Sequence, residues 1–130
     1  MVLVVSDRIA AGQGLRILGG ATLGGDPEEP GLVPVAAIAQ ALARLGLRPD
    51  QLAVAEVMEA YAVQAMACVA AAGLGRVPVN IGGGALARGH PIGASGAILA
   101  VRLFYELRAG TGLAAIAAAG GLGTALVVQR

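Results

Sequence analysis

Hydrophobic positions fall into short runs separated by glycine, and their periodicity predicts an alternation of strands and helices. Val2 to Val5 is wholly apolar and leads into Ser6-Asp7, residue types that cap a helix, so a buried strand is expected there, then a short helix closed by Gly12 and Gly14. Leu15 to Leu18 reads as a second strand, and Gly19 to Gly31 as a loop rich in Gly, Pro and Asp. Pro34 opens the clearest amphipathic helix, in which Val35, Ile38, Ala39, Leu42 and Leu45 recur at helical spacing up to Gly46. Leu52 to Glu56 predicts a strand, and Glu59 to Gly73 a helix with Val63, Met66, Ala67 and Ala70 as its apolar stripe. Val77 to Asn80 is extended because Pro78 disfavours helix before it. After the Gly82-Gly83-Gly84 turn, Ala94 to Ala109 is a helix with Arg102 and Glu106 four apart on the expected wet side.

The stretch from Ala109 to Gln129 carries no charge and has the length of a membrane span. Its glycines at 110, 112, 120, 121 and 123 divide it, however, and two short strands around a tight turn fit better. The whole order predicts one α/β domain over residues 1–130, a mixed β-sheet of about five strands with helices on both faces. A buried strand with no element before it is unusual for a complete domain, so the start looks like a cut.

Composition narrows the chemistry. Apolar residues make up 57% of the 130 and charged residues 13%, which excludes disorder, while aromatics at 2% leave a core of methyl groups and close-packed backbone. Such a core buries little area, so a partner is expected. Nine basic residues against eight acidic ones, without a run of like charge, suggest neither nucleic acid nor a membrane surface. Every basic residue is Arg, so Schiff-base chemistry and the lysine-dependent phosphate loop are excluded from this chain. The single cysteine, Cys68, lies mid-helix among Ala, Met and Val, the setting of an inert thiol. A reducing cytoplasm is the expected compartment.

The segment richest in candidate chemistry runs from Asn80 to Gly96 and packs glycines, one histidine and a proline into a loop that enters a helix. Glycine lets backbone approach backbone or ligand closely, and His90 stands just before the helix start. The positive end of a helix disfavours imidazolium, and the neutral ring is the form that accepts a proton from a nucleophile. A histidine hydrogen-bonded within a turn for purely structural reasons fits the same spacing. Gly82, Gly84 and Ala87 nominally match a dinucleotide fingerprint, but Pro91 would then fall inside the helix that must follow.

On these residues the chain resembles the thiolases, enzymes that make or cleave 3-oxoacyl-CoA. Asn80 to Gly96 is similar to their Gly-His-Pro segment, and Gly112 to Gly123 to their cysteine-centred glycine turn. Val2 to Ser6, Pro34 to Gly46 and Met58-Glu59-Ala60-Tyr61 are similar to the first strand, first long helix and Asn-Glu-Ala-Phe segment of the C-terminal half. The resemblance implies acyl-CoA as substrate with no separate cofactor or metal, and an N-terminal-half chain that supplies the nucleophilic cysteine within an oligomer. It implies His90 as catalytic base, and Ala119, Gly89, Gly120 and Met58 as oxyanion or substrate-binding positions.

Two departures from the family pattern bear on activity. Met58 stands where the family has Asn, and its thioether donates no hydrogen bond; Ala117 stands where the family has its acid/base cysteine, and alanine moves no proton. The expected function is the C-terminal half of a thiolase-like acyltransferase. The alternatives are a catalytically degenerate acyl-CoA-binding or scaffold subunit, and a fragment without stable function.

Overall fold

The computed structural model describes every residue from Met1 to Arg130. In chain order the elements are α1 (Asp7–Ala10), β1 (Arg16–Gly24), a 3-10 turn (Pro30–Leu32), α2 (Val33–Arg44) and a second 3-10 turn (Pro49–Gln51). They continue with β2 (Leu52–Val57), α3 (Ala62–Ala71), α4 (Ala85–Arg88), α5 (Ser95–Glu106), β3 (Thr111–Ala118) and β4 (Leu122–Gln129). The strands form one mixed sheet in the order β1-β4-β3-β2, with β2 and β3 parallel and the other neighbours antiparallel.

Alternation along the strands sorts side chains between two cores. Ala55, Val57, Leu113, Ala115, Ala125 and Val127 lie on one face of the sheet, in one core with the buried Ala37, Ile38, Ala41 and Leu42 of α2 and with Cys68 and Leu74. Val54, Met58, Ala114 and Val128 face the other way, against Leu99 and Leu103 of α5 and the following Leu107. Helices therefore cover both faces, as the alternation predicts. Small residues set the spacing: a Cβ on Gly123 of β4 would lie 2.5 Å from the Val33 carbonyl carbon, so only glycine lets the start of α2 settle on that strand.

The sheet has four strands where the pattern predicts about five. Val2–Val5 pairs with nothing and is exposed, so it is not the buried strand its composition suggests. Val79 instead joins β2 by a single parallel bridge to Ala55. β1 continues through Gly24, taking in half of the expected loop, because its register with β4 holds from Gly19 to Gly24 after one irregularity at Ile17/Gly19. Glycine there serves close approach rather than a turn: a Cβ on Gly20 would lie 2.6 Å from the Ala125 carbonyl oxygen.

Two helix faces also differ from expectation. In α3 the expected stripe is outward, with Val63 and Met66 exposed at 78% and 72%, and Cys68 is the buried residue. This helix is apolar all round, so periodicity alone does not choose its face. On α5, Arg102 and Glu106 are paired at 2.5 Å as expected but are half-buried, turned toward Gly82 rather than to water. The chargeless stretch after Ala109 folds as β3 and β4, and no helix is long and apolar enough to cross a membrane.

Candidate active site

The parallel pair fixes where the candidate residues gather. Val57 lies beside Ala115, and the Met58 N–H donates to the Ala115 carbonyl at 2.9 Å, so β2 and β3 finish side by side. Because α5 feeds β3 through a short connection, its N-terminus lies at the end of the sheet where those strands stop. A Cβ on Gly96 would lie 3.9 Å from Cδ1 of Ile116. That edge, the carboxyl end of parallel strands, is where open α/β sheets place ligands. His90, Met58, Ala117, Ala119 and Gly120 all lie toward it.

His90 is exposed, and its Nδ1 lies 2.8 Å from Oγ of the buried Ser95. Ser95 Oγ donates to the Pro91 carbonyl at 3.1 Å. A serine hydroxyl has one proton, so both contacts are hydrogen bonds only when Nδ1–H donates to Ser95. Nε2 then carries the lone pair. An imidazole held by one nitrogen with the other free to take a proton is the geometry of a general base.

The loop before His90 is held by charged and amide groups. Asn80 is bound to β2 at both ends of its amide: the Val57 N–H donates to its Oδ1 at 2.8 Å and its Nδ2 donates to the Val57 carbonyl at 2.9 Å. The same Nδ2 donates to Oε1 of Glu59 at 2.6 Å, and Oε2 of Glu59 accepts the Leu86 N–H at 3.0 Å. A Cβ on Gly84 would lie 2.0 Å from the Glu59 carboxyl carbon, so the carboxylate occupies the space that a side chain there would fill. Nε of Arg88 donates to the Gly83 carbonyl at 2.9 Å, folding that side chain back onto the loop.

The remaining expected positions differ in what they offer. Backbone N–H groups of Ala119 and Gly120, in the turn between β3 and β4, donate to no carbonyl of this chain. Gly120 and Gly121, at φ 82° and 80°, give that turn the left-handed backbone it needs. Gly89 donates its N–H to Ala85 at 2.7 Å and contributes its φ of 94°, which bends the chain out of α4 into His90. Met58 is buried in the α5-side core, its thioether packed among Val54, Leu99 and neighbouring apolar groups. Ala117 is half-buried in β3.

Sequence reasoning assigned no role to Ser95, Asn80 or Glu56. Ser95 stands five residues after His90, a distance within one turn of the helix start, and that spacing is the signal that could have found it. Glu56 is fully buried on the α5 face of β2 with neither carboxyl oxygen hydrogen-bonded. Burial pushes its carboxyl up to about 7, against the pull of Arg102 and Arg88. Its position inside an apolar strand pattern was the only hint. Cys68 is buried, and burial pushes its thiol up, so it is not an activated nucleophile.

Residues 13–130 match the thiolase C-terminal domain. The chain belongs to that family. A putative acetyl-CoA C-acetyltransferase, VraB of Staphylococcus aureus, is 44% identical over 117 residues, covering 90% of this chain and 31% of the relative. The thiolase Acat5 of Ascaris suum, solved in complex with coenzyme A, superposes at a TM-score of 0.90 with 32% identity over 96% of this chain and 34% of its own. The peroxisomal 3-ketoacyl-CoA thiolase of Saccharomyces cerevisiae, a five-layered α-β-α-β-α structure of two core domains of identical topology, superposes at 0.83 with 32% identity, covering 90% of this chain and 34% of that one. This thiolase domain therefore spans about a third of the length of the relatives it matches. The family match begins at residue 13, beyond the unpaired Val2–Val5 segment.

Proposed function

We propose that this domain is the C-terminal half of a thiolase-like acyl-CoA acyltransferase, acting with an N-terminal-half polypeptide that supplies the nucleophilic cysteine. The observation that carries the reading is the Ser95-held imidazole of His90, with Nε2 free, at the sheet edge that also carries the unused N–H groups of Ala119 and Gly120. His90 takes the proton of the partner's thiol, and the thiolate attacks the carbonyl carbon of the CoA thioester. The resulting oxyanion is stabilised by backbone donors of the glycine turn. Those donors survive the change of side chain at Ala117, because they belong to the main chain.

Support for a partner comes from surface as well as from length. The chain leaves Val2, Leu3 and Val4 exposed beside a cleft of about 1170 Å³ that reaches Phe104 and Tyr105 of α5. A second core domain of the same topology, as in the yeast relative, is the occupant this reading expects.

Co-expression with a thiolase N-terminal-half polypeptide tests the reading. Co-purification and release of CoA from an acyl-CoA, abolished by His90→Ala, is the expected result; absence of both overturns it. Met58 and Ala117 favour a second reading, a degenerate subunit that binds acyl-CoA without turnover. A lost acid/base typically costs about 10²–10⁴ in rate and a lost oxyanion donor about 10²–10³. Ala117→Cys in the assembled complex is expected to raise the rate. Acyl-CoA binding by calorimetry with no CoA release in either protein supports the degenerate subunit instead.

A further inference from the structure

Three buried side-chain polar atoms of this chain lack a hydrogen-bond partner: both carboxyl oxygens of Glu56 and Nε of Arg102. They are of complementary kind, two acceptors and a cationic donor, and Arg102 is the cation that acts most strongly on Glu56. The same guanidinium is bound to Glu106 at 2.5 Å through Nη2. Gly82 completes the arrangement. A Cβ there would lie 1.3 Å from Nη2 of Arg102 and 2.4 Å from Oε1 of Glu106, so the ion pair fills the space of the missing side chain.

Arg102 follows Ser95 by seven residues on α5, two helical turns, so both side chains leave the helix on one face about 10 Å apart along its axis. Ser95 is hydrogen-bonded to His90 and Arg102 packs against Gly82, so the segment from Gly82 to His90 is a strap that meets one helix at both ends. We propose that Arg102, seated with Glu106 in the space left open at Gly82, is a positioning residue that sets the orientation of the His90 ring. It touches no reacting atom; it acts by fixing the end of the strap remote from the imidazole. Glu59 holds the middle of the strap through the Leu86 N–H, and Asn80 ties the chain just before Gly82 to β2; neither holds the strap to α5.

His90 is the only histidine, so its imidazole gives one set of NMR signals in the full chain. In ¹⁵N-histidine-labelled wild type the Nδ1–H tautomer is expected to dominate the neutral ring. Arg102→Ala is expected to move those nitrogen shifts toward the tautomer mixture of a free imidazole. Arg102→Lys should restore part of the wild-type pattern, and Arg48→Ala, which removes an exposed ion pair with Asp50, should leave it unchanged. Folded Arg102→Ala protein with His90 signals superposable on wild type overturns the proposal. If that variant does not fold, Gly82→Ala decides: its methyl displaces the guanidinium while every charge stays, and unchanged His90 signals again overturn it. The catalytic consequence rests on the proposed role of His90. In an active assembled complex Arg102→Ala should lower kcat about 10- to 100-fold with little change in KM. Inactivity of the wild-type complex would count against the acyl-transfer reading alone, since the NMR result stands apart from it.

Discussion

A carboxyl group buried on a strand without a hydrogen bond is stable only while it holds its proton or is offset by a cation. Glu56 has an ordinary value of 4.5 when exposed and about 7 in the fold. Between those values the folded state keeps a proton that the unfolded chain has released, so stability is largest at the acid end of the window and declines as pH rises through it. The loss is at most about 3–4 kcal/mol, from the 1.36 kcal/mol carried by each pKa unit. Urea denaturation of wild type is therefore expected to give a lower midpoint at pH 8 than at pH 5.5. Glu56→Gln should flatten that dependence and be the more stable protein at pH 8. A wild-type midpoint that stays flat over the same interval would show that Arg102 keeps Glu56 ionised and its carboxyl unraised. At Ser95, removal of the hydroxyl by Ser95→Ala is expected to cost about 1 kcal/mol and to release the Nδ1–H tautomer of His90, read from its nitrogen shifts.

Elements differ in how firmly the hydrophobic pattern places them. The α2 stripe is legible because Ile38 and Leu42 alternate with polar or small positions over three turns, and both are buried as expected. Ile38→Ala is expected to cost about 2–5 kcal/mol in urea denaturation, since the side chain lies in the centre of the larger core. The α3 stripe is not legible, because Val63, Met66, Cys68 and Val69 supply apolar surface on every side and only packing against α2 selects Cys68. Val63→Ala should accordingly change stability by less than about 0.5 kcal/mol, whereas the stripe read from sequence would make it a core deletion. The extension of β1 through Gly24 was hidden for a similar reason. Its glycines look like loop punctuation, but Gly20 is required by the nearness of the Ala125 carbonyl on β4, a residue more than a hundred positions away.

At the scale of the whole molecule, the exposed apolar residues are concentrated on surfaces that nothing in this chain covers. Val2, Leu3 and Val4 flank the cleft beside α5, and Tyr61, Val63 and Met66 form an outward face at α3. Apolar clusters of this kind on a small domain mark surfaces of association. The isolated chain is expected to self-associate as concentration rises, measured by light scattering. Addition of a binding N-terminal-half polypeptide at a hundred times its Kd should stabilise it by about 3 kcal/mol, measured as an increase in Tm. A monodisperse monomer at all concentrations, with a Tm indifferent to the added polypeptide, would contradict both.

The sequence by itself determined the alternation of strands and helices, the mixed sheet with helices on both faces, the terminal hairpin, and the His90 segment that carries the family resemblance. These are local properties: periodicity, capping residues and turn glycines act within a few positions of one another. Tertiary structure decided which face of α3 is buried, that Val2–Val5 has no partner strand, and that Arg102 and Glu106 turn inward. It also decided that Ser95 fixes the His90 tautomer and that Glu56 lies buried without a hydrogen bond. Each of these depends on which atoms meet across the sheet or across α5, and burial, hydrogen bonding and charge are set by those meetings rather than by neighbours along the chain.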